Sequence, residues 1–164
     1  MKQDNLIKIV EPHKIISREV TPTDVERVYY DAKEMYKLIG TKIGRYENFY
    51  SIAHCQITKD DPLRFFLLNP NEPSFRDMPE AIIINPKILR HTNQVIEKEE
   101  GCLSYANLPT IKVERWNKCE VEFSYLKEDM TISEKIVMNV SGKVAQVFQH
   151  EIQHMRGEYI YKIN

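Results

Sequence analysis

Apolar residues recur at Val25, Val28, Tyr29, Ala32, Met35, Tyr36 and Ile39, a spacing that lines one face of an α-helix. Thr23-Asp24-Val25-Glu26 reads as a capping box ahead of this stripe and Gly40 as its stop, so a helix is predicted over 25–39. From Thr41 to Lys59 the chain is glycine-spotted and irregular. Two short apolar runs follow, Phe65 to Leu68 and Ala81 to Ile84, each closed by Asn-Pro; both read as buried strands.

Beyond Glu100, Ile111 to Trp116 and Cys119 to Leu126 look like a strand pair joined by a tight turn at Asn117-Lys118. In the second, Val121, Phe123 and Tyr125 alternate with other residue types, the period of a half-buried strand. Lys135 to Val140 is a further strand candidate. Ser141 then caps a helix that runs to about Met155 and stops at Gly157. Strands in the middle with one helix on each side predict an α+β fold, its sheets packed on a central helix.

A length of 164 residues, 42% hydrophobic and 29% charged, fits one globular unit over 1–164 with a real core. The balance of 23 basic against 24 acidic residues leaves no basic field to draw nucleic acid or an anionic membrane. Cys55, Cys102 and Cys119 are an odd number without close spacing, which suits free thiols or a metal thiolate in a reducing compartment. Leu6 to Val10 is too short for a signal-peptide core and no apolar run approaches a membrane span, so a cytoplasmic protein is expected.

The second predicted helix carries His150-Glu151-Ile152-Gln153-His154. Residues four apart share a helix face, so both imidazoles can meet one ion, with the Glu151 carboxylate beside them as a general base. A hydrolytic metal site holds three protein ligands and keeps one position open. No histidine lies downstream, so the third ligand must come from upstream. Cys102, on a turn after Glu100-Gly101, is the leading candidate by thiolate chemistry, with His54, His91 and Cys119 competing on residue type.

Glu100-Gly101-Cys102-Leu103-Ser104 followed by Gln149-His150-Glu151-Ile152-Gln153-His154 resembles the peptide deformylase family, in the family's order and with a fitting interval. The similarity can be followed from about Ile9 to Tyr159. It implies a peptide-deformylase-like fold around the histidine-bearing helix. By match, Cys102, His150 and His154 would bind one divalent ion, iron(II) by family habit with zinc, nickel or cobalt accepted. Glu151 would be the acid-base group, and the Gln56 amide and Leu103 N–H would bind the developing oxyanion.

The family's first motif, Gly-x-Gly-x-Ala-Ala-x-Gln, aligns with Phe49-Tyr50-Ser51-Ile52-Ala53-His54-Cys55-Gln56 and keeps only Ala53 and Gln56. Glycines there let a substrate backbone approach closely, so Phe49 and Tyr50 are expected to reshape the mouth, with Tyr50 and Ser51 as substrate-binding positions. His54 is expected to be a hydrogen-bonded, partly buried residue, Cys119 a core thiol and His91 exposed. Glu100 and Arg115 match a family ion pair that steadies the cysteine-bearing turn. Gln149 reads either as support for the first ligand or as a plain polar helix residue.

The activity implied is hydrolysis of the N-formyl group from formylmethionine at the start of nascent polypeptides. The implied partner is the formylated nascent peptide, with transient ribosome proximity and neither nucleic acid nor membrane. Two other readings stay open: a metal amidase or peptidase of the same fold acting on another N-acylated substrate, and a metal-binding protein without turnover.

Overall fold

Val28, Ala32 and Met35 are buried along one side of helix α1 (Val25–Tyr36), as the apolar stripe requires. The structure is a computed structural model and describes residues 8–161; Leu6 and Ile7 of the short apolar patch noted above lie outside it. The entry to α1 differs from the expected box. The chain begins turning at Pro22–Asp24, and the Asp24 carboxylate accepts the Thr21 N–H at 2.8 Å. Its exit also comes early, because Leu38 and Ile39 donate to the third residue back and so tighten the last turn before Gly40 at φ +80°.

Five antiparallel strands form the main sheet: β1 (Ser51–Ala53), β2 (Phe65–Leu68), β3 (Ile82–His91), β6 (Lys118–Ser124) and β7 (Ile136–Ser141), in the order β1-β2-β3-β6-β7. Side chains alternate across a strand, so the sheet divides two cores. Ala53, Phe66, Leu68, Ile83, Val121 and Phe123 turn one way, toward helix α2 (Gly142–Met155). Ile52, Phe65, Leu67 and Ile84 turn the other way, toward α1.

Three strand expectations need correction. The supposedly irregular stretch contains β1. The run ending at Asn85-Pro86 is not closed there; β3 continues to His91 through a register shift between Ile84 and Lys87, where a proline without an N–H is tolerated. Asn85 takes φ +51° and pairs its side-chain amide with both backbone groups of Val20. The predicted hairpin of 111–116 with 119–126 does not form. Instead β5 (Ile111–Trp116) pairs with β4 (Val95–Glu100) in a separate two-stranded ribbon, and the chain changes sheets at Asn117.

Helix α2 lies between sheet and ribbon, and its two faces differ in kind. Ala145, Phe148, Ile152 and Met155 pack on the sheet. Gln146, Gln149, His150 and Gln153, at helical spacing on the other side, hydrogen-bond to residues of the ribbon. Ser141 occupies the N-cap position in extended conformation, without a side-chain cap bond. The helix ends as expected at Gly157, φ +75°, with the Glu158 N–H bonded to the Gln153 carbonyl and the Gly157 N–H to that of His154, a Schellman closure.

Candidate active site

The ribbon delivers a thiol and α2 delivers two imidazoles to one place. Cys102 is the second residue past the end of β4, and its Sγ lies 3.5 Å from His154 Nε2. One ligand atom from each of Cys102, His150 and His154 lies within 4.8 Å of the others, and this is the one His/Cys/Asp/Glu group able to hold a metal among the described residues. Three donors each about 2.0–2.3 Å from a shared tetrahedral ion would sit about 3.5 Å apart, so the cluster is of the right size.

The outer nitrogen of each imidazole is engaged. His150 Nδ1 donates to Glu100 Oε1 at 2.7 Å, and His154 Nδ1 donates to the Glu158 carbonyl at 3.1 Å. With Nδ1 so engaged, Nε2 is the nitrogen each ring would offer to an ion, the arrangement ligating histidines need.

Glu100 also takes two hydrogen bonds from Arg115, both at 2.7 Å, and one from Gln146 at 3.1 Å. This is the ion pair expected from sequence, and it is buried on both sides, 5% and 4% exposed. Burial alone would raise the Glu100 carboxyl, but the bonds from Arg115 and His150 prevail and hold it down to about 2. Arg115 reaches on to Gln153 Oε1 at 2.8 Å.

Gln149 does not support the first ligand; its amide clamps both backbone groups of Trp116 and so pins β5 to α2. The uncharged polar stripe 146, 149, 153 beside His150 is the sequence signal for this docking.

Glu151 is 1% exposed, and burial pushes its carboxyl up. Its Oε1 accepts the Ser51 hydroxyl at 2.7 Å, while Oε2 is buried with no partner. Gln56 is likewise held: its Oε1 accepts the Ala53 N–H at 2.9 Å, and its Nε2 donates to Ser104 Oγ at 3.0 Å and lies 3.7 Å from Cys102 Sγ. Leu103 opens the short turn Leu103–Tyr105 next to the thiol and is 8% exposed.

Ser51, Gln56, Cys102, Leu103, His150 and Glu151 line a cavity of about 490 Å³. Phe49 is buried in its wall and in the α1-side core, whereas Tyr50 is 52% exposed at the rim. The Lys143 ammonium sits 4.2 Å from the Tyr50 ring centroid and 3.4 Å from Glu72. Neither Lys143 nor Glu72 was singled out from sequence, since a lysine in the first turn of a helix and a glutamate in a loop carry no distinguishing pattern.

The rival ligand candidates lie elsewhere. His54 is fully buried, not partly, with Nε2 on Asp31 at 2.7 Å, Nδ1 accepting the Leu63 N–H at 2.8 Å, and its ring stacked on Phe65. Cys119 is in the α2-side core, and His91 is exposed but stacked flat on Trp116.

The chain is similar to known proteins of one family. The chain is 33% identical over 114 residues to peptide deformylase 2 of Nostoc sp., a match covering 67% of this chain and 59% of that one. It is 31% identical over 152 residues to the peptide deformylase of Aquifex aeolicus, covering 91% of this chain and 81% of that one. The class I type b peptide deformylase of Acinetobacter baumannii superposes with a TM-score of 0.73 at 25% identity, covering 94% and 96% of the two chains. That of Thermotoga maritima gives 0.73 at 23%, covering 95% of each. The family model described as polypeptide deformylase matches residues 8–163, and the chain belongs to that family.

Proposed function

We propose that this chain is a metal-dependent peptide deformylase that removes the formyl group from N-terminal formylmethionine of nascent polypeptides and releases formate. The observation that carries the reading is the unpartnered, buried Oε2 of Glu151 beside the Cys102–His150–His154 cluster. A buried carboxylate oxygen without a partner is costly, and Glu151 borders the cavity a substrate would fill.

A divalent ion held by Cys102, His150 and His154 would supply Lewis acidity for water and for the formyl oxygen. One thiolate with two imidazoles suits the borderline ions, and by family likeness iron(II) is the native one, with zinc, nickel or cobalt able to substitute. The chain's own groups do the rest. Glu151 Oε2 takes a proton from water as the water oxygen bonds to the formyl carbon. The Gln56 amide and the Leu103 N–H receive the negative charge that develops on the formyl oxygen, donors of a kind that contribute about 2.7–4 kcal/mol each. Glu151 then passes its proton to the departing nitrogen as the C–N bond breaks, leaving formate and a free amino terminus.

Substrate alignment has support in the topology. β1 is the edge strand of the main sheet, and Tyr50 and Ser51 border the cavity. An extended peptide would add to that edge by main-chain hydrogen bonds. Residues 1–164 act as one catalytic unit in this reading. The formylated nascent peptide is its partner, met in the cytoplasm with transient ribosome proximity. The described residues contain no helix long and apolar enough to cross a membrane.

The test is metal analysis of anaerobically purified protein alongside formate release from a short formyl-Met peptide. We expect one ion per chain and turnover, and Glu151→Gln is expected to retain the ion while losing at least about 10²-fold in kcat. Unchanged activity in that variant sinks the proposed chemistry. Release of acetate from an acetylated peptide in preference to formate would instead identify an amidase for another acyl group.

A further inference from the structure

Strand parity puts Ser51 on the same side of β1 as Ala53, the side turned toward α2. A hydroxyl on the Ser51 Cβ therefore meets α2 a hundred residues later in the chain, and the residue it meets is Glu151, at 2.7 Å. The contact is asymmetric: Oε1 is occupied and Oε2 is not.

The terminal torsion of a glutamate is broad and roughly two-fold. Without a fixed donor, a carboxylate in a cavity can turn either oxygen toward the reacting water or away from it. We propose that Ser51 is a positioning residue: its hydroxyl holds Oε1 against β1, so that Oε2 is the oxygen presented to the water. The inference rests on the general-base reading of Glu151. It assigns the Ser51 side chain to the base, while the Ser51 backbone remains on the strand edge offered to substrate. Productive placement of catalytic groups is sensitive to shifts of about 1 Å, which one hydrogen bond to a buried carboxylate can control.

A residue that only contacts substrate, or only holds the fold, would behave differently from one that aims the base. In the metal-loaded enzyme, Ser51→Ala is expected to lower kcat about tenfold, with KM for a formyl-Met peptide within about twofold of the parent. Ser51→Thr, which keeps the hydroxyl on a residue suited to strands, should restore most of kcat. In a Glu151→Gln background, Ser51→Ala should cost nothing further, because the group it positions is already disabled. A crystal structure of metal-loaded Ser51→Ala should show the Glu151 carboxylate rotated or split between two orientations.

Unchanged kcat in Ser51→Ala, a change confined to KM, failure of threonine to rescue, or an undiminished effect in the Glu151→Gln background each overturns the proposal. If Glu151→Gln is inactive while Ser51→Ala behaves as the parent, only the Ser51 assignment fails. If the metal-loaded parent releases no formate, the deformylase reading fails, and the Glu151 orientation in the Ser51→Ala crystal then decides the positioning claim by itself.

Discussion

His150 and His54 each hold a carboxylate oxygen 2.7 Å from a ring nitrogen, Glu100 in one case and Asp31 in the other. His54 is stacked on Phe65 at the α1 side of the main sheet, whereas His150 lies on the face of α2 turned to the ribbon. What separates them is the second nitrogen. In His54 it accepts a backbone N–H from Leu63, and the ring is stacked on Phe65, so every polar atom is spent inside the protein. In His150 it is turned toward a thiol and another imidazole. A buried histidine beside an acid is therefore ambiguous until its other nitrogen is traced.

Breaking the two carboxylate networks should separate them most sharply. Arg115→Ala leaves Glu100 buried beside His150 without its guanidinium, and we expect a loss of about 3–5 kcal/mol in urea unfolding, together with weakened metal retention measured on the purified protein. His54→Phe leaves the buried Leu63 N–H without its acceptor, while Asp31 keeps Arg27 as a partner, and a smaller loss of about 1–3 kcal/mol is expected. Metal content in that variant should match the parent. Equal metal loss in both variants would erase the distinction drawn between the two sites.

The smallest effect is in pH dependence. Burial holds His54 below its ordinary value of 6.5, so the unfolded chain binds the extra proton and stability falls as pH drops below about 6.5. Glu100 is held at about 2 against an ordinary 4.5. Its contribution is therefore complete above about 4.5 and fades as pH falls from there toward 2. Urea midpoints measured from pH 7.5 to 3.5 should show the upper step shrinking in His54→Phe and the lower one persisting.

Much of this was legible in the chain. Helix α1 follows from apolar periodicity and α2 from its cap and stop signals, while the set Cys102, His150 and His154 comes from the family resemblance, since residue chemistry alone leaves His54, His91 and Cys119 as rivals for the third place. β4 was not legible because Glu97, Lys98, Glu99 and Glu100 make four of its six residues charged; it is a surface ribbon held by its ladder and by α2. The mistaken hairpin has a similar cause. Asn117 sits between two strands as a turn residue would, yet those strands belong to different sheets, and sequence spacing does not report which partner each one takes. Ser51 and Glu151 each stand out in the sequence, but their contact depends on strand parity and on the placement of α2, which no local pattern encodes.

Gly157 ends α2 with a positive φ that turns the Glu158 carbonyl back onto His154 Nδ1. A side chain at that position would meet the Lys14 carbonyl at 2.6 Å and displace the turn. The nitrogen that His154 offers to the cluster thus depends on a residue with no side chain, and a lesion that looks like a mere helix-stop defect should be checked first for its effect on that imidazole.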